Sequence, residues 1–278
     1  MTQQLSVLLV GAGSMGGALF ESWVASGILD TARSAVVDPN PPEKIEALCD
    51  KHGIALNPPE DKGYGVCVLA VKPQMFPAVL PKLEWQDMNE TLFVSVAAGT
   101  TIKTIADLLK EKAPSARVVR TMPNLPASIR QGVTLLCEAG GLEDGDKDAA
   151  STLMAAAGET YWCEGEDHLD QVMGVTGCSP AYVFLLAEAL QQAAEARGVA
   201  PADARRIAEA SVTGSAALLA QDEREAAALR RAVTSPNGTT QAALDILNED
   251  SRGLKPLTEE AVANAYKRAR ELAGDESK

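Results

Sequence analysis

The chain has 278 residues, 46% of them apolar, with 38 acidic against 25 basic side chains and a formal charge of −13. That length and apolar share support a substantial core in one large or two moderate domains, which excludes a tail or linker. The acidic balance, with no cluster of Lys and Arg, excludes a partner recognised through a nucleic-acid backbone, so any bound anion is held locally, at helix N-termini or by single placed cations.

No basic residue precedes Arg33 and the first apolar run is brief, so no secretory signal is expected. No stretch is expected to reach the ~18 apolar residues of a membrane span. The 5 cysteines, Cys49, Cys67, Cys137, Cys163 and Cys178, are dispersed without Cys-x-x-Cys spacing, which points to reduced thiols in a cytoplasmic protein. The 2 histidines, His52 and His168, offer no spacing for a metal.

In chain order, residues 5–10 form a short apolar run that predicts one buried strand. It feeds directly into Gly11-Ala12-Gly13-Ser14-Met15-Gly16, after which residues 17–26 predict a helix. Strand, glycine turn and helix in this order suit a dinucleotide: Gly11 permits the turn, Gly13 lets backbone approach a pyrophosphate, and Gly16 lets helix and strand pack closely. The phosphates then sit on the helix N-terminus. Asp38 ends the second predicted strand, 34–37, where an acid can take a ribose hydroxyl; Asn40 and Lys44 follow closely.

Helical segments at 42–52, 74–82 and 101–112 alternate with strands at 65–71, 91–97 and 117–122. Strands at 132–137 and 160–163 flank a helix at 146–157. The alternation predicts a parallel, doubly wound sheet of Rossmann type, in which ligands lie beyond the carboxyl ends of strands. Ala70, Val71, Lys72 and Pro73 occupy such an end, as do Ala97 and Ala98, and Asn57 and the pair Pro123-Asn124 follow the same logic. Lys72 is there either to face a cofactor or as a solvated residue before a proline-started helix.

Beyond residue 163 the texture changes to alanine- and leucine-rich helical runs at 180–197, 201–220, 223–232, 239–248 and 257–273, with a tail at 274–278 expected to be disordered. Their apolar faces, as in Ala181, Val183, Phe184, Leu185, Leu186 and Leu190, exceed what one small bundle needs, and a dimer seam is the natural use for the surplus. The expected division is 1–164, dinucleotide-binding, and 165–278, helical, for dimerisation and substrate. Within the second part, Ser235-Pro236-Asn237-Gly238 forces a tight turn before Thr239 and Thr240 open a helix. Hydroxyls and free N–H groups at such a start form a cradle for a small carboxylate.

Six blocks, G-A-G-S-M-G at 11–16, A-V-K-P at 70–73, V-A-A-G at 96–99, R-T-M-P-N at 120–124, G-C-S-P-A-Y at 177–182 and T-S-P-N-G-T-T at 234–240, resemble the pyrroline-5-carboxylate reductase family over nearly the whole chain. Asn237-Gly238 stands where that family usually has Gly-Gly, Ser179 where Gly is usual, and Leu125 where Thr is common. The resemblance implies a fold like that of 6-phosphogluconate dehydrogenase and reduction of L-Δ1-pyrroline-5-carboxylate to L-proline by NADPH or NADH. It implies a substrate site of Glu166, Val233, Ser235, Gly238, Thr239 and Thr240, with the Thr240 hydroxyl near the imine nitrogen. It also implies an active site where one subunit's cofactor domain meets the helices, in a homodimer that assembles further into a decamer.

A cyclic imine is partly protonated near neutral pH, so positioning carries most of its reduction and no strong acid is needed. A hydroxy-acid dehydrogenase needs a His or Lys to exchange a hydroxyl proton. Between residues 148 and 254 the chain has no lysine and only His168, which also reads as a surface helix residue, just as Glu166 also reads as an ordinary helix N-terminal acid. Alternatives are a related imine or hydroxy-acid reductase and a non-catalytic dinucleotide-binding partner protein.

Overall fold

A computed structural model describes residues 4–59 and 62–272, and the tail expected to be disordered lies outside them. The chain forms two compact units, one of Met1–Gly177 with Ala265–Lys278, the other of Cys178–Asn264.

The first unit is built on strands β1 (Val7–Val10), β2 (Ala35–Val37), β3 (Ala55–Leu56), β4 (Val66–Leu69), β5 (Leu92–Ser95), β6 (Arg117–Pro123), β7 (Gly132–Glu138) and β8 (Gly158–Trp162). Among the described residues they make one sheet in the order β3-β2-β1-β4-β5-β6-β7-β8. The helices are α1 (Ser14–Ser26), α2 (Glu43–His52), α3 (Phe76–Val79), α4 (Ile102–Leu109), α5 (Asp146–Ala155) and α6 (Glu166–Thr176). β1 and β4 are continuous apolar runs and β5 is one up to Ser95, all buried at every position, as expected of strands covered on both faces. Their period of two splits the core into layers: Leu9, Val68 and Val94 pack with Trp23 and Phe20, while Leu8, Cys67 and Phe93 pack with Phe76 and Ile105.

Three local expectations are corrected. The segment 74–82 is not one helix but a 3-10 turn Pro73–Met75, the single turn α3 and a second 3-10 turn Leu80–Lys82. Pro73, Pro77 and Pro81 recur every four residues, and each removes a helical donor. Nor is the sheet wholly parallel, because β7 runs antiparallel to β6. The two strands are joined by the 3-10 turn Leu125–Ile129 and by Arg130 at φ +58°, a reversal too short for a crossover helix. Finally, Glu166–Glu195 forms a helical stretch long and apolar enough to cross a membrane by length and composition, contrary to the expectation that none would.

The second unit contains α7 (Ser179–Glu195), α8 (Pro201–Gln221), α9 (Ala226–Ala232) and α10 (Thr239–Leu247). A last helix, α11 (Leu254–Leu272), starts in this unit and ends in the first. It begins before the expected residue 257 because Pro256 is tolerated in a first turn. α9 starts later than expected, since the Asp222 carboxylate takes the Arg224 N–H at 2.9 Å and closes a local turn. α7, α9 and α10 contain no buried residue, and α8 buries only Ala204 and Ala208.

Candidate active site

The glycine turn between β1 and α1 has the geometry its residues predict. Gly11 sits at φ +94°, and a Cβ there would lie 2.8 Å from Val71. A Cβ on Gly16 would overlap the Gly11 carbonyl oxygen and approach Ala70 Cβ to 2.9 Å, so helix and strand meet as closely as backbone allows. Gly13 is different: nothing lies within 4 Å of its Cβ position. Gly13 also caps α1 without a side-chain hydrogen bond, so the first N–H groups of the helix, from Ser14 and Met15, face open space. A pocket of ≈ 320 Å³ adjoins it, lined in part by Ala12, Gly13, Ser14, Glu21 and Lys44. An open cradle with unclaimed N–H groups fits a pyrophosphate.

Asp38 lies beside this turn. Its Oδ2 accepts the Ala12 N–H at 2.7 Å and its Oδ1 the Asn40 N–H at 2.9 Å. Asn57, at φ +47°, clamps the Asp38 main chain, accepting its N–H at 2.9 Å and donating to its carbonyl at 2.8 Å. Asn57 therefore works by placing Asp38. Lys72 is exposed just past β4, at the start of the Pro73 turn, while beyond β5 Ala97 is buried and Ala98 exposed.

Glu166 opens α6, as the plain reading of a helix N-terminal acid expects, but its carboxylate serves two other elements. Oε1 accepts the Ile102 N–H at the start of α4 at 2.9 Å and the Arg120 guanidinium at 3.2 Å. Arg120, on β6, is only 2% exposed and also binds Asp170 at 2.7 Å. Burial pulls the Arg120 pKa down, but its bond to Asp170 and the charges of Asp170 and Glu166 outweigh this, so the net shift is upward. Arg120 and Asp170 were not singled out from the sequence. The available signal was an arginine inside an apolar strand, with two acids at i and i+4 on one helix face. Cys137 faces Arg120 across the β6–β7 pair, yet burial pushes its thiol up to about 12 and removes it as a nucleophile. Asn124 donates to the Thr176 carbonyl at 3.0 Å and accepts the Val133 N–H at 2.9 Å, holding the end of β6 to α6 and β7. His168 takes the Glu164 N–H at 3.3 Å and meets Tyr161 edge-on.

In the helical unit the turn before α10 has the anticipated shape. Gly238 N–H bonds the Ser235 carbonyl at 3.0 Å across Pro236 and Asn237, and Asn237 stands at φ +59°. A Cβ on Gly238 would collide with the Ser235 hydroxyl. No side chain caps α10, whose opening residues Thr239 and Thr240 lie beside that hydroxyl's turn. Val233, just ahead, is 66% exposed.

Comparison with known proteins covers both parts of the chain. A family model for pyrroline-5-carboxylate reductase dimerisation matches residues 166–272, and one for coenzyme F420-dependent NADP oxidoreductases matches 6–99. The pyrroline-5-carboxylate reductase of Pseudomonas aeruginosa is 34% identical over 272 residues, covering 96% of each chain. The chain belongs to the pyrroline-5-carboxylate reductase family. The enzyme of that name from Pisum sativum is 32% identical over 95% of this chain and 94% of its own. A pyrroline-5-carboxylate reductase structure from Coxiella burnetii superposes with a TM-score of 0.86 at 32% identity, covering 98% of this chain and 99% of that one. The Plasmodium falciparum pyrroline carboxylate reductase, solved with NADP bound, shares the fold at a TM-score of 0.78 and 20% identity, over 98% and 100% of the two chains.

Proposed function

We propose that this protein reduces L-Δ1-pyrroline-5-carboxylate to L-proline with NADPH or NADH, as the last step of proline biosynthesis. The observation that carries the reading is the uncapped start of α10 behind the Ser235–Gly238 turn, in a chain that also has an open glycine cradle. Residues 1–164 hold the nucleotide, and 165–278 hold the substrate and assemble the protein.

The N–H groups after Gly13 bind the pyrophosphate, and Gly11 and Gly16 set the turn that aims them. Ala70, Val71, Lys72, Pro73, Ala97 and Ala98 border the rest of the nucleotide, while Asp38, placed by Asn57 and bonded to Asn40, meets the adenosine ribose. When bound, the reduced nicotinamide supplies the hydride. The Ser235 hydroxyl and the Thr239 and Thr240 N–H groups take the substrate carboxylate, with Val233 and Gly238 shaping the turn. The positive end of α10 favours that charge. The Thr240 hydroxyl holds the ring nitrogen, and orientation does the work that a strong acid does elsewhere. Glu166 belongs to the substrate side by family resemblance, with its Oε1 held by Ile102 and Arg120.

The exposed apolar face of α7 and α8 pairs with a second copy, and the homodimer builds a decamer in the cytoplasm. Of the apolar stretch Glu166–Glu195, the α7 part, which buries no residue, belongs to that pairing surface. A steady-state assay tests the function: NAD(P)H oxidation with pyrroline-5-carboxylate is expected, and turnover only with hydroxy-acid or oxo-acid substrates overturns it. Thr240→Ala is expected to lower kcat by about 10²-fold with nucleotide affinity unchanged; an unaltered kcat removes Thr240 from the mechanism.

A further inference from the structure

We infer that this protein selects NADH over NADPH, and that Asp38 together with the proline-rich loop behind it does the selecting. The inference rests on the proposal that the glycine turn holds a dinucleotide. The two nucleotides differ by one phosphate on the adenosine ribose 2′-oxygen, so selection depends on what the protein offers there, at the end of β2.

It offers an anion fixed in place. The Asp38 carboxylate is anchored to Ala12 and Asn40, and the Asp38 main chain is gripped on both sides by the Asn57 amide. A carboxylate so held cannot swing away to admit a phosphate, whereas it can accept a bond from a ribose hydroxyl.

The loop that follows withholds the usual means of binding a phosphate. Residues 39–42 read Pro39-Asn40-Pro41-Pro42, so three of the four have no backbone N–H. The fourth, on Asn40, is already donated to Asp38. No free main-chain donor remains between Asp38 and α2. Where that helix begins, its first turn carries Glu43 and Glu46, which oppose an anion at its N-terminus. The first cation after Asp38 in the sequence, Lys44, is paired with Glu21 at 2.6 Å. From residue 38 to 44 there is no arginine, the side chain suited to a ribose phosphate. Charge, donor count and rigidity therefore all disfavour the 2′-phosphate and tolerate the hydroxyl.

Isothermal titration of the substrate-free protein with NADH and with NADPH tests the inference without using turnover. The expected result is a Kd for NADH at least about tenfold below that for NADPH, with the ratio shrinking as salt rises, because screening weakens the repulsion. Equal affinities, or tighter NADPH, overturn the inference while leaving the dinucleotide site intact. Binding of neither nucleotide overturns the dinucleotide reading itself. Asp38→Asn keeps an acceptor oxygen for the Ala12 N–H but removes the charge, and is expected to bring the two Kd values together. An undiminished preference in a folded Asp38→Asn protein overturns the role of Asp38, and the wild-type ratio with its salt dependence stands as a test if that variant does not fold.

Discussion

The sheet-bearing unit and the helical unit Cys178–Asn264 bury their apolar residues in opposite ways. In the first, β1, β4 and β5 are buried throughout and Trp23 and Phe20 are all but inaccessible. In the second, α7 buries nothing, and Phe184 and Leu185 are 58% and 64% exposed. The first unit thus completes its own core, while the second presents the material of one without closing it. On the proposed function, this arrangement keeps nucleotide binding in a self-sufficient fold and makes the substrate turn depend on assembly.

The expected effect with the widest reach, on assembly and turnover together, attacks the unclosed side. Phe184→Asp places a charge on the exposed α7 face, and loss of a central apolar anchor costs on the order of 2–4 kcal/mol of association. Light scattering is expected to show a smaller assembly and the assay little turnover, while NADH titration remains near wild type. A variant that stays assembled and active breaks the comparison, because α7 is then not the seam.

The self-sufficient side is tested by Arg120→Met. Two carboxylates, Asp170 and the partly buried Glu166, lose their shared cation, and removing one member of a buried ion cluster costs about 3–5 kcal/mol. Denaturant unfolding followed by tryptophan fluorescence reads the loss. A stability within about 0.5 kcal/mol of wild type shows that the Arg120 cluster is dispensable to this unit.

Gly13→Val sharpens the contrast by separating binding from folding. Its Cβ meets open space and its φ of −65° is ordinary for any residue, so the melting temperature is expected to hold while nucleotide affinity falls by at least about tenfold. Normal NADH binding by this variant contradicts the pyrophosphate cradle.

What was legible in the sequence follows the same division. Strands buried on both faces announce themselves as unbroken apolar runs, and glycine turns have few alternatives, so β1, the Gly11–Gly16 loop and the Ser235–Gly238 turn could be read from residue types alone. Features made by distant partners could not. Nothing near Glu166 says that it caps α4, 64 residues upstream. The antiparallel β7 depends on how the short Leu125–Ile129 turn reverses the chain, which apolar periodicity does not encode. The broken segment at Pro73–Lys82 was readable in principle, because its three prolines are visible; their helical spacing let the apolar pattern outweigh them.

The smallest expected effect concerns how the end of α11 is fastened within the first unit. Asp167 Oδ1 accepts the Tyr266 hydroxyl and the Arg270 guanidinium, each at 2.7 Å, and Oδ2 the Gln171 amide at 2.6 Å. The Tyr266 bond leads in holding the Asp167 carboxyl below its ordinary value, with Gln171 and Arg270 assisting. A carboxylate whose folded pKa is depressed contributes stability that is complete above its unfolded pKa and is lost as pH falls through the folded one. The fastening is therefore full at neutral pH and released in acid. Because Asp167 is exposed, solvent keeps its contribution small. Tyr266→Phe removes the leading bond, so an NMR titration is expected to show Asp167 protonating at higher pH, and hydrogen exchange at the end of α11 accelerating from that higher pH downward. An Asp167 titration unmoved in Tyr266→Phe shows that the tyrosine merely neighbours the carboxylate and that Arg270 and Gln171 hold it.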